Sequence, residues 1–363
     1  RESNTSVLAF VNGVDRERAN FANSIESLGS LGVKPAVVAF PMGENESLSG
    51  VIDLGPDGAL QTASFDRVRV GNWLDGPVIL TGRGPGRPPG VTMTRGTVDL
   101  RQANLGGSGG GGGGQGGREG SPLSLQLDRL IVSEGIAFTS FVGQFRNRGG
   151  LEGRFAARIN GGAGVSGDVI PTPSGAAIRL ISEDAGGALA SAGVLKTARG
   201  GRLDLTLNPT GQDGVYDGYL RVRDTRIVDA PAMTDLLSAI SIVGLIDQFN
   251  TGGITFNEVD AEFRLTPSRL TLLRSSGVGP SLGLSLDGIF DLASGRLDMQ
   301  GVVSPVYFLN GIGQVVSRRG EGLFGFSFRM RGEATSPSVS VNPLSILTPG
   351  MFRDIFRRPP PTQ

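Results

Sequence analysis

Strict alternation of apolar and polar residues in the last third of the chain is the feature that most restricts its fold. Three segments between residues 282 and 330 carry apolar side chains at every second position, with mostly Gly, Ser, Asp, Gln or Arg between them. The period is two rather than 3.6, which predicts β-strands that have one apolar and one polar face. Turn residues at 291–295 and 332–337 separate these segments and favour antiparallel hairpins in a meander.

The same alternation recurs, less clearly, in the earlier segments, so the whole chain is predicted to be mainly β. We expect a long, twisted and curled antiparallel sheet whose apolar face forms a groove, with a few short helices capping or flanking it. The residues predicted to line this groove are Leu203, Leu205, Leu207, Val259, Phe263, Leu265, Leu282, Leu284, Leu286, Phe290, Leu297, Met299, Phe324, Phe326 and Phe328.

Composition removes several classes of function. The 363 residues include 34 Lys and Arg and 34 Asp and Glu, and this balance argues against a nucleic-acid partner. The chain has neither histidine nor cysteine, which excludes Ser-His-Asp and Cys-His nucleophiles, His or Cys metal sites and disulfides. We therefore predict no cofactor, no metal and no catalytic site. A pair of carboxylates with glycosidase-type chemistry is the one enzymatic alternative left open.

The chain divides into three predicted portions. Residues 1–105 form an N-terminal β-rich portion with one helix at 16–30, and residues 118–363 form the groove portion. Between them, residues 106–117 are almost entirely glycine, which predicts a flexible loop because glycine is costly to order and offers no side chain to pack. No apolar run reaches the length of a transmembrane helix. The chain opens on Arg1 without methionine, which suggests a fragment whose signal or membrane anchor lies upstream.

Four further helices are predicted, at 185–197, 231–249, 308–317 and 349–356. The last combines an apolar side with basic residues, a pattern that suits anionic lipid head groups or a protein partner. The residues predicted to form this membrane or partner helix are Met351, Phe352, Arg353, Ile355, Phe356 and Arg357.

Four segments resemble a known family. They are GGRLDLTL at 200–207, SAISIVGLIDQFNTGGITF at 238–256, GLSLDGIFDLASGRLDMQGVVSPVYFLN at 283–310 and VNPLSILTPGMFRDIF at 341–356. Over residues 122–356 the chain is similar to the AsmA-like C-terminal family, particularly the YhdP- and TamB-related envelope proteins of Gram-negative bacteria. The chain lacks the family's N-terminal anchor and resembles the C-terminal piece of such a protein.

The resemblance implies a function and a location. It implies a periplasmic protein, anchored in the inner membrane at full length, whose curled sheet shields phospholipid acyl chains between the inner and outer membranes. Two alternatives remain: a structural scaffold that docks an outer-membrane or other envelope protein, and, with less support, a β-rich carbohydrate-active enzyme. Acyl chains need no specific contacts, so a lining of many apolar residues at alternate positions would suffice.

Overall fold

The computed structural model describes residues 39–43, 46–55, 58–101, 120–148, 150–240, 252–305, 325–334 and 336–347. In this part of the chain, twenty strands form one sheet. The strands are β1 Ala39–Gly43, β2 Glu46–Leu54, β3 Leu60–Val70, β4 Leu74–Thr81, β5 Gly90–Met93, β6 Thr97–Asp99, β7 Ser121–Ser133, β8 Ile136–Asn147, β9 Leu151–Ile159, β10 Gly164–Thr172, β11 Gly175–Ser182, β12 Ala198–Arg199, β13 Arg202–Pro209, β14 Tyr216–Ile227, β15 Ile254–Leu265, β16 Arg269–Val278, β17 Leu282–Asp291, β18 Arg296–Pro305, β19 Phe326–Glu333 and β20 Ser338–Asn342.

The strands follow one another across the sheet almost in chain order, and the predicted mainly β meander is confirmed. Nearly every strand pairs antiparallel with the next one, from β1 to β4, from β7 to β11 and from β13 to β20. The short strand β12 pairs with β14. Strand β13, which lies next to β12, pairs with β11 on one side and with β14 on the other.

One connection makes the sheet mixed rather than purely antiparallel. Strands β5 and β6 both pair antiparallel with β4, but parallel with β7. A parallel pair needs a connection that returns to the starting end of the neighbouring strand. The predicted glycine tract, residues 106–117, belongs to this connection and lies outside the described residues.

The first of the described helices is shorter than predicted. Helix α1 spans Ala185–Ser191 and helix α2 spans Pro231–Ala239, and a 3-10 turn spans Pro343–Leu347. Helix α1 ends early because Gly193, two residues further on, adopts a positive φ of 73°, a conformation that stops helices. The predicted helices at 16–30, 308–317 and 349–356, and the second half of that at 231–249, lie outside the described residues.

Cross-strand register aligns the apolar residues on one face, here called the inner face. Because partners directly opposite each other share a face, one row of paired residues can be followed through ten strands from β10 to β20. The row consists of Val169, Ile178, Leu207, Gly218, Phe263, Leu272, Gly288, Met299, Met330 and Val339. It contains no charged residue.

The opposite face, here called the outer face, carries a ladder of alternating charge. Six residues in strands from β9 to β15 form two short rows of alternating charge, namely Arg154, Asp168 and Arg179 in one row and Asp204, Arg221 and Asp260 in the other. The two rows meet diagonally across the β11–β13 pair, where the Nε of Arg179 lies 3.0 Å from Oδ1 of Asp204. Within the second row, the Nε of Arg221 lies 2.8 Å from Oδ1 of Asp260. Exposed pairs such as Arg179–Asp204 each contribute little to stability. If one strand slipped by one residue against its neighbour, like charges would stand opposite each other or charged side chains would be buried on the inner face. The charge pairing therefore favours a single register.

Helix α1 is fastened to the sheet by Asn160. This residue lies between β9 and β10 with a φ of 48°, a left-handed conformation that asparagine tolerates better than most residues. Its Nδ2 donates to the carbonyl oxygens of Gly135 and Ser191, each at 2.8 Å. Its Oδ1 accepts from the amide of Ala137, also at 2.8 Å. One side chain therefore joins two hairpins to the end of the helix.

Replacing Asn160 separates its two contributions. Asn160→Ala removes the three hydrogen bonds and leaves a Cβ residue in the left-handed region, so we expect the free energy of unfolding to fall by about 2 kcal/mol. Asn160→Gly removes the same hydrogen bonds but tolerates the backbone, and should cost only about 1 kcal/mol. Urea unfolding followed by circular dichroism measures both. Equal losses for the two variants would contradict the role given to the backbone conformation.

Acid is expected to destabilise the sheet by protonating the carboxylates of its ion pairs. The Arg179 guanidinium holds the pKa of Asp204 below its ordinary value, and Arg202 and Arg67 do the same for Glu183 and Asp75. A carboxylate with a lowered pKa stabilises the fold above its unfolded pKa, and that stabilisation is lost as the pH falls.

We therefore expect the urea midpoint to stay level down to about pH 5 and to drop below about pH 4. In Asp204→Asn the drop should be smaller, because that variant has one linked carboxylate fewer. A midpoint that rises on acidification would contradict the linkage.

Candidate apolar groove

The register brings the predicted lining residues together on the inner face. The predicted lining residues of β13 and β15 lie on the same face as those of β17, β18 and β19, as the pairings through the intervening strands β14 and β16 show. Phe324 and the predicted helix from Met351 to Arg357 lie outside the described residues. The described members of the predicted lining thus form one surface, and they differ in how far that surface is covered.

Both helices cover the inner face at the same end of the strands, here called the helix end. Helix α1 follows β11 and buries Ala185 and Ala188 against Leu203 and Val222. Helix α2 follows β14 and lies over the later strands. Its Leu236, Leu237 and Ile240 form one buried cluster with residues from β15, β17, β18 and β19, namely Ile254, Phe256, Leu282, Val303 and Phe328.

The cluster beneath α2 is consistent with a curled sheet. A nine-residue helix is about 13.5 Å long. Residues of β15 and of β20, five strand spacings apart, nevertheless belong to the same cluster, and on a flat sheet those strands would lie about 24 Å from each other. Curvature of the sheet towards the helix shortens that distance.

At the opposite end of the strands, here called the open end, the inner face is only partly covered. Leu207, Leu265, Leu270, Phe290 and Leu297 all stand there and are partly buried. At the helix end, by contrast, Leu282 and Val303 are 0% exposed. The inner face therefore combines a closed core at one end with a partly buried apolar surface at the other.

A small pocket lies where these two parts meet. It has a volume of about 70 Å³ and opens between α2 and strands β17, β19 and β20. Its walls are formed by apolar side chains, including Met233, Leu236, Leu284, Leu286, Phe328 and Met330. By liquid volume it has room for only about two water-sized groups, so it could hold a short apolar segment and no whole lipid.

The inner face continues well beyond the residues proposed from the sequence. Strands β5 to β11 contribute a large buried cluster to it, which includes Met93, Leu127, Phe141, Phe145, Phe155, Val165, Val169 and Leu180. In the sequence, the alternation of Leu123, Leu125 and Leu127 indicates that the apolar face extends to this strand. Pairing across β5, β7 and β8 shows that those leucines continue the inner face.

Polar chemistry is concentrated on the outer face. One polar cluster is formed by Tyr219, Arg221 and Asp260, where the Tyr219 hydroxyl donates to the Asp260 carboxylate at 2.8 Å. Burial, with the adjacent Asp260 carboxylate, raises the pKa of Tyr219. In the described part of the chain, no three Asp or Glu side chains are grouped closely enough to hold a metal ion. Neither described helix has the length and apolar character needed to cross a bilayer.

Comparisons of this chain with protein-family models, with curated proteins and with solved structures found no match. The resemblance to the AsmA-like family therefore rests on the sequence segments alone.

Two leucine substitutions distinguish an accessible groove from a closed core. Leu207→Asp places a carboxylate on the partly covered open end, where water can reach it, and should lower the free energy of unfolding by about 1–2 kcal/mol. Leu237→Asp buries the same group beneath α2, where the wild-type side chain is 0% exposed, and should cost more than about 4 kcal/mol. Chemical denaturation of both variants measures the difference. Similar losses would show that the open end is as closed as the core.

Proposed function

We propose that this protein binds phospholipid acyl chains along its inner face and shields them from water during transfer between membranes. The observation that carries the proposal is the inner-face row from Val169 to Val339, which crosses ten strands without a charge, together with the partly buried apolar residues at the open end. A large apolar surface that is not fully covered is typical of a binding site.

The physical need for such a surface is large. Burial of one CH₂ group is worth about 0.8 kcal/mol, so exposing a single acyl chain of ordinary length to water costs on the order of 10 kcal/mol. Apolar contact alone removes this cost, and no hydrogen bond to the chain is required. Leucine, valine, isoleucine and phenylalanine at alternate positions are sufficient for the task.

The sequence resemblance supports the same function. AsmA-like envelope proteins are implicated in moving phospholipids towards the outer membrane. On the basis of this resemblance we also propose a periplasmic location, and an inner-membrane anchor in the full-length protein. The proposal involves no enzymatic step, because the proposed ligands of the inner face are apolar acyl chains.

A scaffold role is the second candidate, and one observation favours it. Strand β20 pairs with β19 on one side, and no described strand pairs with its other edge. Its Ser338, Ser340 and Asn342 are exposed, and the strand contains no charge, proline or bulge to discourage pairing. An extended segment of an envelope protein could add to this edge.

Extraction and mass spectrometry of lipids that copurify with the protein test the proposal. We expect phospholipid in at least equimolar amount, and much less of it in Leu207→Asp, because a charge on the open end opposes apolar chains. The single tryptophan, Trp73, packs against the inner-face cluster, so brominated acyl chains should quench its fluorescence. Lipid-free protein that retains a stable protein partner would instead support the scaffold.

A further inference from the structure

Two pairs of arginines interrupt the alternation of charge on the outer face. Arg202 stands directly opposite Arg223 in the β13–β14 pair, and Arg199 stands directly opposite Arg226 in the β12–β14 pair. Among the strand pairs that the structure describes, every other directly opposed pair of charged residues combines arginine with aspartate or glutamate. Like charges directly opposite each other destabilise a sheet. The two arginine pairs therefore need a reason other than the stability of the fold.

These four arginines form one exposed surface at the helix end, here called the arginine patch. All four are exposed. Arg226 lies on the outer face because its chain neighbour Ile227 packs into the cluster beneath α2 on the inner face. Arg223 and Arg226 are three residues apart on β14, which places the two pairs about 10 Å from each other along the strand.

Carboxylates offset only part of this charge. Arg202 is paired with Glu183, with Nη2 of the arginine 2.6 Å from Oε1 of the glutamate. Glu258 stands opposite Arg223 across the β14–β15 pair, but its Oε1 lies 3.4 Å from Nε of Arg221. The second arginine of the first pair thus shares its nearest carboxylate with another arginine.

The second arginine pair is less compensated than the first. The Nη1 of Arg199 donates to the backbone carbonyl oxygens of Lys196 and Ala198, at 2.6 and 2.9 Å. In the described part of the chain, neither Arg199 nor Arg226 forms an ion pair, although the exposed Asp224 is only two residues from Arg226. Positive charge therefore remains available here for an anionic partner.

Exposed apolar side chains stand next to the arginine patch. The loop after α1 carries Val194 and Leu195, which are 64% and 37% exposed and belong to none of the described core clusters. The backbone amides of both donate to the carbonyl oxygen of Leu189, at 2.9 and 3.2 Å, so the loop is held by the end of the helix. Lys196 follows, and its carbonyl oxygen is the one that Arg199 binds. An apolar tip flanked by basic residues is typical of a surface that contacts anionic lipid.

We propose that the arginine patch and the loop with Val194 and Leu195 dock the helix end on a bilayer surface that contains anionic phospholipid. Two opposed guanidinium groups suit a phosphate between them, because each presents a planar fork of donors. The two apolar side chains would enter the boundary between head groups and acyl chains. An acidic protein segment would satisfy the arginines but would give these apolar side chains no better surroundings than water. The inference concerns contact with a membrane surface and does not require lipid on the inner face.

Vesicle flotation tests the arginine patch. The wild type should float with phosphatidylethanolamine vesicles that contain phosphatidylglycerol, and much less with vesicles of phosphatidylethanolamine alone. In the double variant Arg199→Gln with Arg226→Gln, affinity for the anionic vesicles should fall about twentyfold, since each basic residue near an anionic surface contributes about fivefold. Added salt should weaken wild-type binding in the same direction. Arg146→Gln with Arg296→Gln is the matched control, because it removes two exposed outer-face arginines at the open end. It should float as the wild type does.

A fluorescent label tests the apolar loop. The chain has no cysteine, so a single introduced cysteine can be labelled alone. A polarity-sensitive fluorophore on Val194→Cys should shift to the blue when anionic vesicles are added, because the loop leaves water. The same label on Ile170→Cys should not shift, although Ile170 is also 55% exposed on the outer face.

Three results would overturn the inference. They are a wild type that floats with neither kind of vesicle, equal flotation of the two double variants, and a label at position 194 that does not shift when the protein floats. The first would leave the arginine pairs to a soluble acidic partner, and the second would place membrane contact elsewhere on the chain. Copurified phospholipid without flotation would leave the proposed function standing and remove the docking surface. Flotation of a protein whose inner face carries no lipid would do the reverse.

Discussion

The structure depends on one constraint, the register between neighbouring strands. Side chains alternate between the faces with a period of two, so a slip of one residue would exchange the inner and outer faces of a strand. In the observed pairing the row from Val169 to Val339 is apolar, and opposite charges alternate in the rows from Arg154 to Arg179 and from Asp204 to Asp260. Apolar burial on one face and ion pairing on the other therefore favour the same arrangement, and this agreement makes a sheet of this size specific.

The two ends of the strands differ in what they contribute. At the helix end, α1 and α2 complete a closed core in which Leu237, Ile254, Leu282 and Val303 are each 0% exposed. This core supplies the packing that a wide sheet with an exposed apolar face would otherwise lack. At the open end the same face stays partly uncovered, which costs stability and is the basis of the proposed binding. Stability and the proposed function thus occupy different ends of the same strands.

The inner face is suited to cargo that offers no hydrogen bonds. Its rows consist mostly of aliphatic side chains, phenylalanine rings and glycines, while arginines and carboxylates pair with one another on the outer face. Dispersion and the hydrophobic effect act along its whole length without selecting one position, which is the physical requirement for a chain that has to move.

The sequence by itself determined the fold class, because a period of two is visible in any strand with one buried face. It also predicted the polarity of each face and the start of α2 at Pro231. Only the tertiary structure decided which apolar residues are covered. Leu282 and Leu284 share the inner face, yet Leu282 is fully buried beneath α2 whereas Leu284 lines the pocket beside it. The parallel pairing of β5 and β6 with β7 was likewise not predictable from the sequence. Periodicity is a local property, whereas coverage and strand order depend on segments that are distant in the chain and meet only when it folds.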